Sequence, residues 1–301
     1  MKGHLPRFGT MFNKWIDNTR AVMLQHGSED AAEELNITPS RIGLIVNADD
    51  WGRDQFTTDR IRDCVLFRSV TAASAMVFME DSERAASLAQ DCGVDVGLHL
   101  NFTTEFSSPR MHTPLVEHQQ KVAGCLRAHR YAPLVFHPLL QRSFEYLVKA
   151  QIDEFTRLYK EPPDRIDGHH HMHLCTNLLF SGDLFSREIR MRRNFSFRQG
   201  EKSLANRLYR RLVDSHLARR YRMTDYLFSI MPMHPERLDI IFAMAGSSIV
   251  ELETHPVNAE EFRLLTSVEF ARKTADILLR PGLTERRRAS CWAPETPAQF
   301  S

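Results

Sequence analysis

Short runs of apolar residues alternate with longer amphipathic stretches along most of the chain. Apolar runs at 42–46, 70–78 and 94–100 are separated by segments at 57–68 and 82–92 whose apolar residues recur at helical spacing. Uninterrupted apolar runs are typical of parallel strands covered on both faces, and intervening helices are typical of βαβ units. The pattern therefore predicts an α/β fold with a mostly parallel sheet.

The second half of the chain continues this alternation less regularly. We expect a helix at 144–159, and after it a strand from 165 that runs into a loop by 173. A short strand at 189–191, a basic helix at 192–222, a weak strand at 226–230, a helix at 237–245, a strand at 248–254 and a helix at 268–279 are expected to follow. Residues 104–140 show no clear period and are rich in Pro, Ser and His. We therefore expect a long loop there, of the kind that often carries function.

The two ends of the chain depart from the repeating pattern. Residues 1–40 show only a loose helical stripe, which predicts a helical N-terminal extension. The charged and proline-rich residues 284–301 predict a disordered tail. The main domain is thus expected at 41–283.

Composition limits the class of protein without identifying a partner. Of the 301 residues 43% are hydrophobic and 26% are charged, and the formal net charge of +1 demands no nucleic acid. The five cysteines are odd in number and widely spaced, which argues against a disulfide framework or a cysteine zinc site. Since no secretory leader or apolar stretch of about 18 residues is present, we expect a cytoplasmic protein without a membrane span. The oligomeric state stays open, a homo-oligomer included.

Polar residues that do not suit a core follow four of the predicted strands. Asp49 and Asp50 follow the first, His99 ends the third, the tract DGHHHMH occupies 167–173, and His255 follows a late strand. The carboxyl ends of parallel barrel strands converge at one face. One carboxylate and two imidazoles there would leave positions open on a catalytic cation. A second carboxylate could then take a proton from water, and His255 could protonate a leaving group.

Strand geometry makes a specific prediction for the histidine tract. Alternate side chains of a strand share a face, so Asp167, His169, His171 and His173 are expected on one side and His170 on the other.

Each of these groups also has an ordinary structural interpretation. The aspartate pair suits a helix N-cap, His99 a hydrogen-bonded core histidine and His255 a turn residue. The tract suits a polar strand end or an adventitious surface metal site. The basic helix suits a solvated face or a packing face as well as a polyanion-binding one.

Four motifs, taken in order, resemble those of the YdjC-like carbohydrate deacetylases. They are NADDWG (47–52), VGLHLNFT (96–103), IDGHHHMH (166–173) and ETHP (253–256). The resemblance, which runs from about Arg41 to Leu283, implies an irregular (β/α) barrel related to the polysaccharide deacetylase barrel. It also implies removal of an acetyl group from an N-acetylated sugar, a small carbohydrate partner, and one divalent cation, magnesium or zinc, as cofactor.

Carried over by position, the resemblance assigns roles to single residues. It implies that Asp50, His99 and His169 bind the cation, that Asp49 is the general base and that His255 is the acid. Supporting or substrate-facing positions are implied for Asp167, which would orient an imidazole, and for His171, His173, Arg190 and Trp51.

The chain departs from the family pattern at two positions. Trp51 stands where the family usually has Phe, and Thr58 stands where many members have Asn. Two other functions remain compatible with the residues. One is a metal-dependent phosphoesterase or another amidohydrolase, favoured by the arginines at 187–198, and the other is a non-catalytic carbohydrate-binding protein.

Overall fold

A computed structural model describes residues 42–109, 111–182, 184–197 and 201–278. The expected N-terminal extension (1–40) and tail (284–301) lie outside the described residues. Seven parallel strands of the described chain form one sheet in the order β5-β4-β3-β2-β1-β7-β6. They are β1 Gly43–Trp51, β2 Ala72–Ala75, β3 Asp95–Leu100, β4 Arg165–Gly168, β5 Arg190–Met191, β6 Tyr226–Ser229 and β7 Ile249–Thr254.

Helices connect the strands. They are α1 Gln55–Leu66, α2 Ser82–Cys92, α3 Thr113–Ala128, α4 Gln141–Tyr159, α5 Thr176–Leu179, α6 Leu204–Ala218, α7 Pro235–Ala245, α8 Ala259–Leu265 and α9 Val268–Thr274, with short 3-10 helices at Ala132–Leu134, Pro138–Leu140 and His169–Leu174. Among these described residues, no helix combines the length and the apolarity needed to cross a membrane.

The two edges of the sheet meet and close it into an irregular barrel. Met191 at β5 donates its N–H to the carbonyl of Arg222, 2.8 Å away, and Ser196 donates to the carbonyl of Leu227 in β6, also 2.8 Å away. The segment after β5 therefore lies beside the segment that enters β6. The prediction of an irregular, mostly parallel (β/α) barrel is confirmed.

The two faces of each strand meet different surroundings. In β1, Leu44, Val46 and Ala48 belong to the hydrophobic core shared with the helices, whereas the alternate residues Asn47 and Asp49 are buried on the other face, inside the barrel. All nine residues of β1 are buried, as expected for a strand covered on both sides. The apolar core thus lies between sheet and helices, and the barrel interior is polar.

A buried arginine fills the lower part of this interior. Arg165 of β4 donates to the Asn47 side chain at 2.6 Å and to the carbonyl of Ala73 at 3.0 Å. A Cβ atom added to Gly97 of β3 would lie 2.9 Å from the guanidinium carbon of Arg165. Glycine at position 97 is therefore what leaves room for this side chain.

The prediction of a long loop at 104–140 is wrong, because α3 occupies 16 of those residues. Leu115, Val122 and Leu126 are buried on one face of α3, and its His118 lies 2.9 Å from the Ser143 hydroxyl of α4. Interspersed polar residues such as the buried Gln119 hide this periodicity in the sequence. Packing against α4 stabilises this helix, although the helix propensity of its own residues predicts it only weakly.

The expected helix over 192–222 is also too long. Helix α6 begins at Leu204, and the Ser203 side chain caps it by accepting from Asn206 N–H. Residues 192–196 instead extend along the closure of the barrel. In addition, α8 was not predicted, and α9 ends at Thr274 rather than 279.

The packing of α4 permits a direct stability test. Leu147 is fully buried, so Leu147→Ala is expected to lower the free energy of unfolding by about 2–5 kcal/mol, measured by urea denaturation. Lys149→Ala, an exposed change one half-turn away, is expected to stay within ~0.5 kcal/mol of the parent. Equal losses in the two variants would contradict the burial of this face.

Candidate metal centre

The carboxyl end of β1 positions two aspartates differently. Asp49 continues the strand and points into the barrel, whereas Asp50 has a left-handed backbone with φ of 73°. The β1–β2 register shifts between Ala48 and Trp51, which accommodates this turn. Thr58 supports it by accepting a hydrogen bond from Gly52 N–H at 3.3 Å. The adjacent carboxylates can therefore serve two different purposes.

Asp50, His99 and His169 bring one oxygen and two nitrogens to a single point. Asp50 Oδ1 lies 2.9 Å from His169 Nδ1 and 3.4 Å from His99 Nε2. Donor atoms that share one ion at bond lengths of about 2.0–2.2 Å stand roughly 3 Å apart. The three side chains are buried, and their ligand atoms could hold a metal ion.

The chemistry of these atoms fits a cation. Asp50 Oδ1 and His99 Nε2 are buried and have no hydrogen-bond partner among the described residues. Burial by itself would raise the pKa of Asp50, but its contacts with His169 and His99 outweigh burial and hold that pKa well below its usual value. Arg53 anchors the other carboxylate oxygen at 2.6 Å, leaving Oδ1 for the ion. Unsatisfied buried donors and acceptors are costly, so these two atoms are well suited to binding a cation.

Asp167 lies behind His99. Its Oδ1 is 2.7 Å from His99 Nδ1, and its Oδ2 accepts from the Ser74 hydroxyl at 2.5 Å. Carboxylates in this position fix the ring orientation of a metal-binding imidazole and direct its other nitrogen at the ion.

The histidine tract does not continue the strand. β4 ends at Gly168 and a 3-10 helix follows, with left-handed backbone at His170 and His171 (φ 54° and 57°), so the expected alternation of faces is wrong. A Cβ on Gly168 would lie 2.9 Å from the backbone nitrogen of His173, and only glycine permits this tight entry.

The tract therefore gives its histidines different partners, although the rings of His169 and His170 also pack against each other. His169 reaches the triad, and His170 is exposed beside the Thr103 hydroxyl. His171 lies 3.2 Å from the Glu253 carboxylate. His173 is buried, with Nε2 3.0 Å from the carbonyl of Arg192, and burial lowers its pKa to about 3. His173 thus lies behind the site and contacts the backbone of Arg192.

Asp49 is held by an arginine that the sequence reasoning missed. Arg192 donates to both oxygens of Asp49, at 2.7 and 2.8 Å. Burial would raise the pKa of Asp49, but Arg192 and His99 outweigh it and lower that pKa. Asp49 Oδ2 also lies 4.0 Å from both His99 Nε2 and His255 Nε2. Asp49 is therefore an ionised carboxylate between the triad and His255.

Arg192 is surrounded by carboxylates inside the barrel. Besides Asp49 it contacts Asp167 at 3.0 Å, Glu251 at 2.8 Å and Glu253 at 3.2 Å. Two glutamates at alternate positions of one apolar strand, as in SIVELET (248–254), were the available signal. They require a buried cation, since burying unpaired charge is costly.

Arg190 and Trp51 are not brought to the site. Arg190 begins β5 at the opposite end of the sheet, where it contacts Asp164 at 2.8 Å. Trp51 is fully buried in the hydrophobic core and donates to the carbonyl of Ala85. Their positions do not support the substrate contacts expected of them.

His255 lies at the open side of the cluster. Its side chain is 39% exposed, and its backbone N–H is held by Glu261 at 2.6 Å. It follows β7 and faces Asp49 across a 4.0 Å gap. An exposed imidazole opposite a buried carboxylate can exchange protons with a bound molecule.

Comparison with known proteins shows the family. The model of the family described as "YdjC-like protein" matches residues 43–287, which is most of the chain. The chain belongs to the YdjC-like family. The four motifs that suggested the family contribute Asp49, Asp50, His99, His169 and His255 to this centre.

Curated relatives match over part of their length. A chitooligosaccharide deacetylase of Proteus mirabilis (strain HI4320) is 31% identical over 131 residues, 44% of this chain and 50% of that protein. One of Serratia marcescens is 30% identical over 135 residues, again 44% and 50%. One of Yersinia pestis (strain Pestoides F) is 28% identical over 176 residues, 58% and 62%. The chain thus spans about half to three fifths of these relatives.

A solved structure supports the fold. The crystal structure of a "putative cellobiose-phosphate cleavage protein" from Enterococcus faecalis V583 superposes with a TM-score of 0.57 at 20% identity. The match covers 78% of this chain and 95% of that one. At this identity the likeness concerns the barrel alone.

Proposed function

We propose that the protein is a metal-dependent hydrolase that removes the acetyl group from an N-acetylated sugar. The observation that carries this proposal is the meeting of Asp50, His99 and His169 around one point, with Asp49 and His255 beside it. The names of the curated relatives, chitooligosaccharide deacetylases, support the substrate class.

Asp50, His99 and His169 would hold the cation. A divalent cation at this place would supply Lewis-acid polarisation of a carbonyl oxygen and a water of lowered pKa. One carboxylate and two imidazoles suit zinc and also accept magnesium, manganese or cobalt.

The other residues then have definite tasks. Arg192 keeps Asp49 ionised and fixes its plane, so that Asp49 accepts the proton of the attacking water. His255 donates a proton to the sugar nitrogen as the bond between carbon and nitrogen breaks, which yields acetate and a free amine. Asp49 and His255 flank the triad from one side, and a proton can therefore pass without leaving the site.

The phosphoesterase alternative loses most of the support that the arginines at 187–198 gave it, and the exposed Arg187 is what remains of that support among the described residues. Arg190, Arg192 and Arg193 are each paired with a carboxylate, the last with Asp214 at 2.8 Å. Arg198 lies outside the described residues. A phosphate ester would require cationic groups free to receive it.

The test is acetate release from N-acetylglucosamine oligomers. We expect release by the purified chain, loss of release after treatment with a chelator, and recovery when zinc or magnesium is restored. Phosphorylated sugars serve as the comparison panel. Turnover that survives complete metal removal would contradict the proposal.

Asp49→Asn isolates the proton acceptor. We expect kcat to fall about 10²–10⁴-fold, since a positioned general base contributes that much. Cation binding should stay near the parent level, because Asp49 is not one of the three ligands. Undiminished turnover in this variant would show that another group takes the proton.

A further inference from the structure

Helix α6 presents leucines directly to solvent. Leu204, Leu208 and Leu212 are 74%, 56% and 63% exposed. They recur every four residues and so share one face of the helix. Val213 and Leu217, on the opposite face, are buried against the barrel. An apolar stripe on the outside of a helix that already packs by its inner side requires a separate explanation.

The same outward side is basic. Arg211 lies exposed beside the leucines, Arg207 lies there partly buried, and the exposed Arg219 follows the helix end. Within the described chain, no carboxylate lies within 4.0 Å of these three guanidinium groups. The only acidic residue of α6, Asp214, is turned inward and is held by Arg193 and Asn194. We call the leucines with these three arginines the α6 face.

We propose that the α6 face docks on an anionic lipid surface. A helix that combines a leucine stripe with arginines and lacks outward acids has the composition of interfacial helices, which lie in the membrane plane. Arginine side chains can extend their charged ends to phosphate groups while their aliphatic stems stay with the leucines.

A second copy of the chain fits this face less well. In a twofold dimer the same patch meets itself, so Arg207 and Arg211 would face the partner's equivalent arginines. Like charges placed opposite each other disfavour such an interface. A folded partner would have to match the shape of this face, whereas a fluid lipid surface adapts to it.

The position of the face relates it to the site. Helix α6 starts after the carboxyl end of β5. The chain that follows α6 returns to the amino end of the sheet, where Arg222 forms a parallel backbone bridge with Arg190. Leu204 therefore lies toward the end of the barrel where the metal centre opens. Docking through α6 would hold that opening near the lipid headgroups. The inference about docking does not depend on the proposed reaction.

Vesicle sedimentation with the full chain tests the proposal. The probes are vesicles of phosphatidylcholine alone and vesicles in which part of it is replaced by phosphatidylglycerol. We expect binding to the anionic vesicles, decreasing with added salt. The double variant Arg207→Gln/Arg211→Gln should bind about 30-fold more weakly. The double variant Leu208→Ser/Leu212→Ser should lose binding to a similar extent.

The control places the same chemical changes elsewhere. Leu66 is 53% exposed at the end of α1, and Arg272 is exposed on α9. Leu66→Ser/Arg272→Gln should bind vesicles like the parent. Because the other variants differ from the parent only in α6, any binding by the rest of the chain is common to all samples.

Three results would overturn the proposal. They are equal sedimentation with neutral and anionic vesicles, parental binding by both α6 variants, and absence of sedimentation. A parent that is dimeric by light scattering, and that the leucine variant converts to a monomer without any change in vesicle binding, would assign the face to a second copy.

Discussion

Arg192→Met is expected to destabilise the protein by about 3–5 kcal/mol, because it leaves buried carboxylates without their cation. Arg192 is almost completely buried and contacts four acids from three strands, and these acids raise its pKa well above the usual value against the effect of burial. Urea denaturation with an unchanged m-value would measure the loss. The same variant should lose most acetate release, since Asp49 would no longer be held.

Arg190→Met is the matched control. Arg190 is two residues away and also pairs with a carboxylate, but at the surface of the opposite end. Exposed pairs contribute about 0–1 kcal/mol, so this variant should be nearly as stable and as active as the parent. Equal effects of the two substitutions would contradict a central role for Arg192.

The pH dependence of stability should differ between parent and Arg192→Met. Despite burial, Arg192 is a main cause of the lowered pKa of Asp49 and Asp167 in the folded protein. A group with a depressed folded pKa contributes stability that is complete above its unfolded pKa of about 3.9 and is lost as pH falls toward the folded pKa. Without Arg192, burial raises the pKa of these carboxyls, so the variant's folded state takes up protons at a higher pH than the parent's, and the stability difference between parent and variant should shrink as pH falls.

His169→Asn is expected to lower zinc affinity by more than about 100-fold, since loss of even an outer partner of a metal ligand costs about 10–100-fold. Isothermal titration calorimetry of the metal-free protein would measure the change, with magnesium in parallel. Acetate release at limiting metal should fall with it. Asp50→Asn should behave alike, because the amide offers a neutral and weaker oxygen.

His170→Asn provides the control from the same tract. His170 has a left-handed backbone that asparagine tolerates, and its ring packs against the His169 ring and contacts Thr103 without bringing a nitrogen to the triad. We expect its zinc affinity to fall far less than that of His169→Asn, because a ring contact is lost but no ligand atom is removed. Similar losses in the two variants would mean that the tract binds metal without a defined geometry.

The strand ends could be located from the sequence because their signals are local. An apolar run followed by Asp49-Asp50, or by His99, marks both a buried strand and the edge at which it stops. Parallel topology then brings these edges together without any knowledge of distances. Local signals therefore predict a cluster of acidic and imidazole side chains at one edge of the sheet, whereas the choice of Asp50, His99 and His169 within that cluster was implied by the resemblance to the family.

Other features depend on contacts between distant segments. The choice between Arg190 and Arg192 is decided by where β5 stops and which side of the barrel its next residue enters. The path of the histidine tract depends on the close approach of Gly168 to His173. Helix α3 owes its stability to packing on α4. A short sequence window can indicate the need for a buried cation, as the glutamates of β7 do, but it does not identify the distant partner in any of these cases.

The left-handed backbone at Asp50 links the identity of the ligand to the shape of the chain. Only glycine, asparagine, aspartate and histidine adopt this conformation with ease, so glutamate, which offers the same carboxylate, would be strained there. Evolution of a different metal preference through position 50 is therefore limited to these residue types. A change to glutamate would require a different backbone conformation of the turn as well.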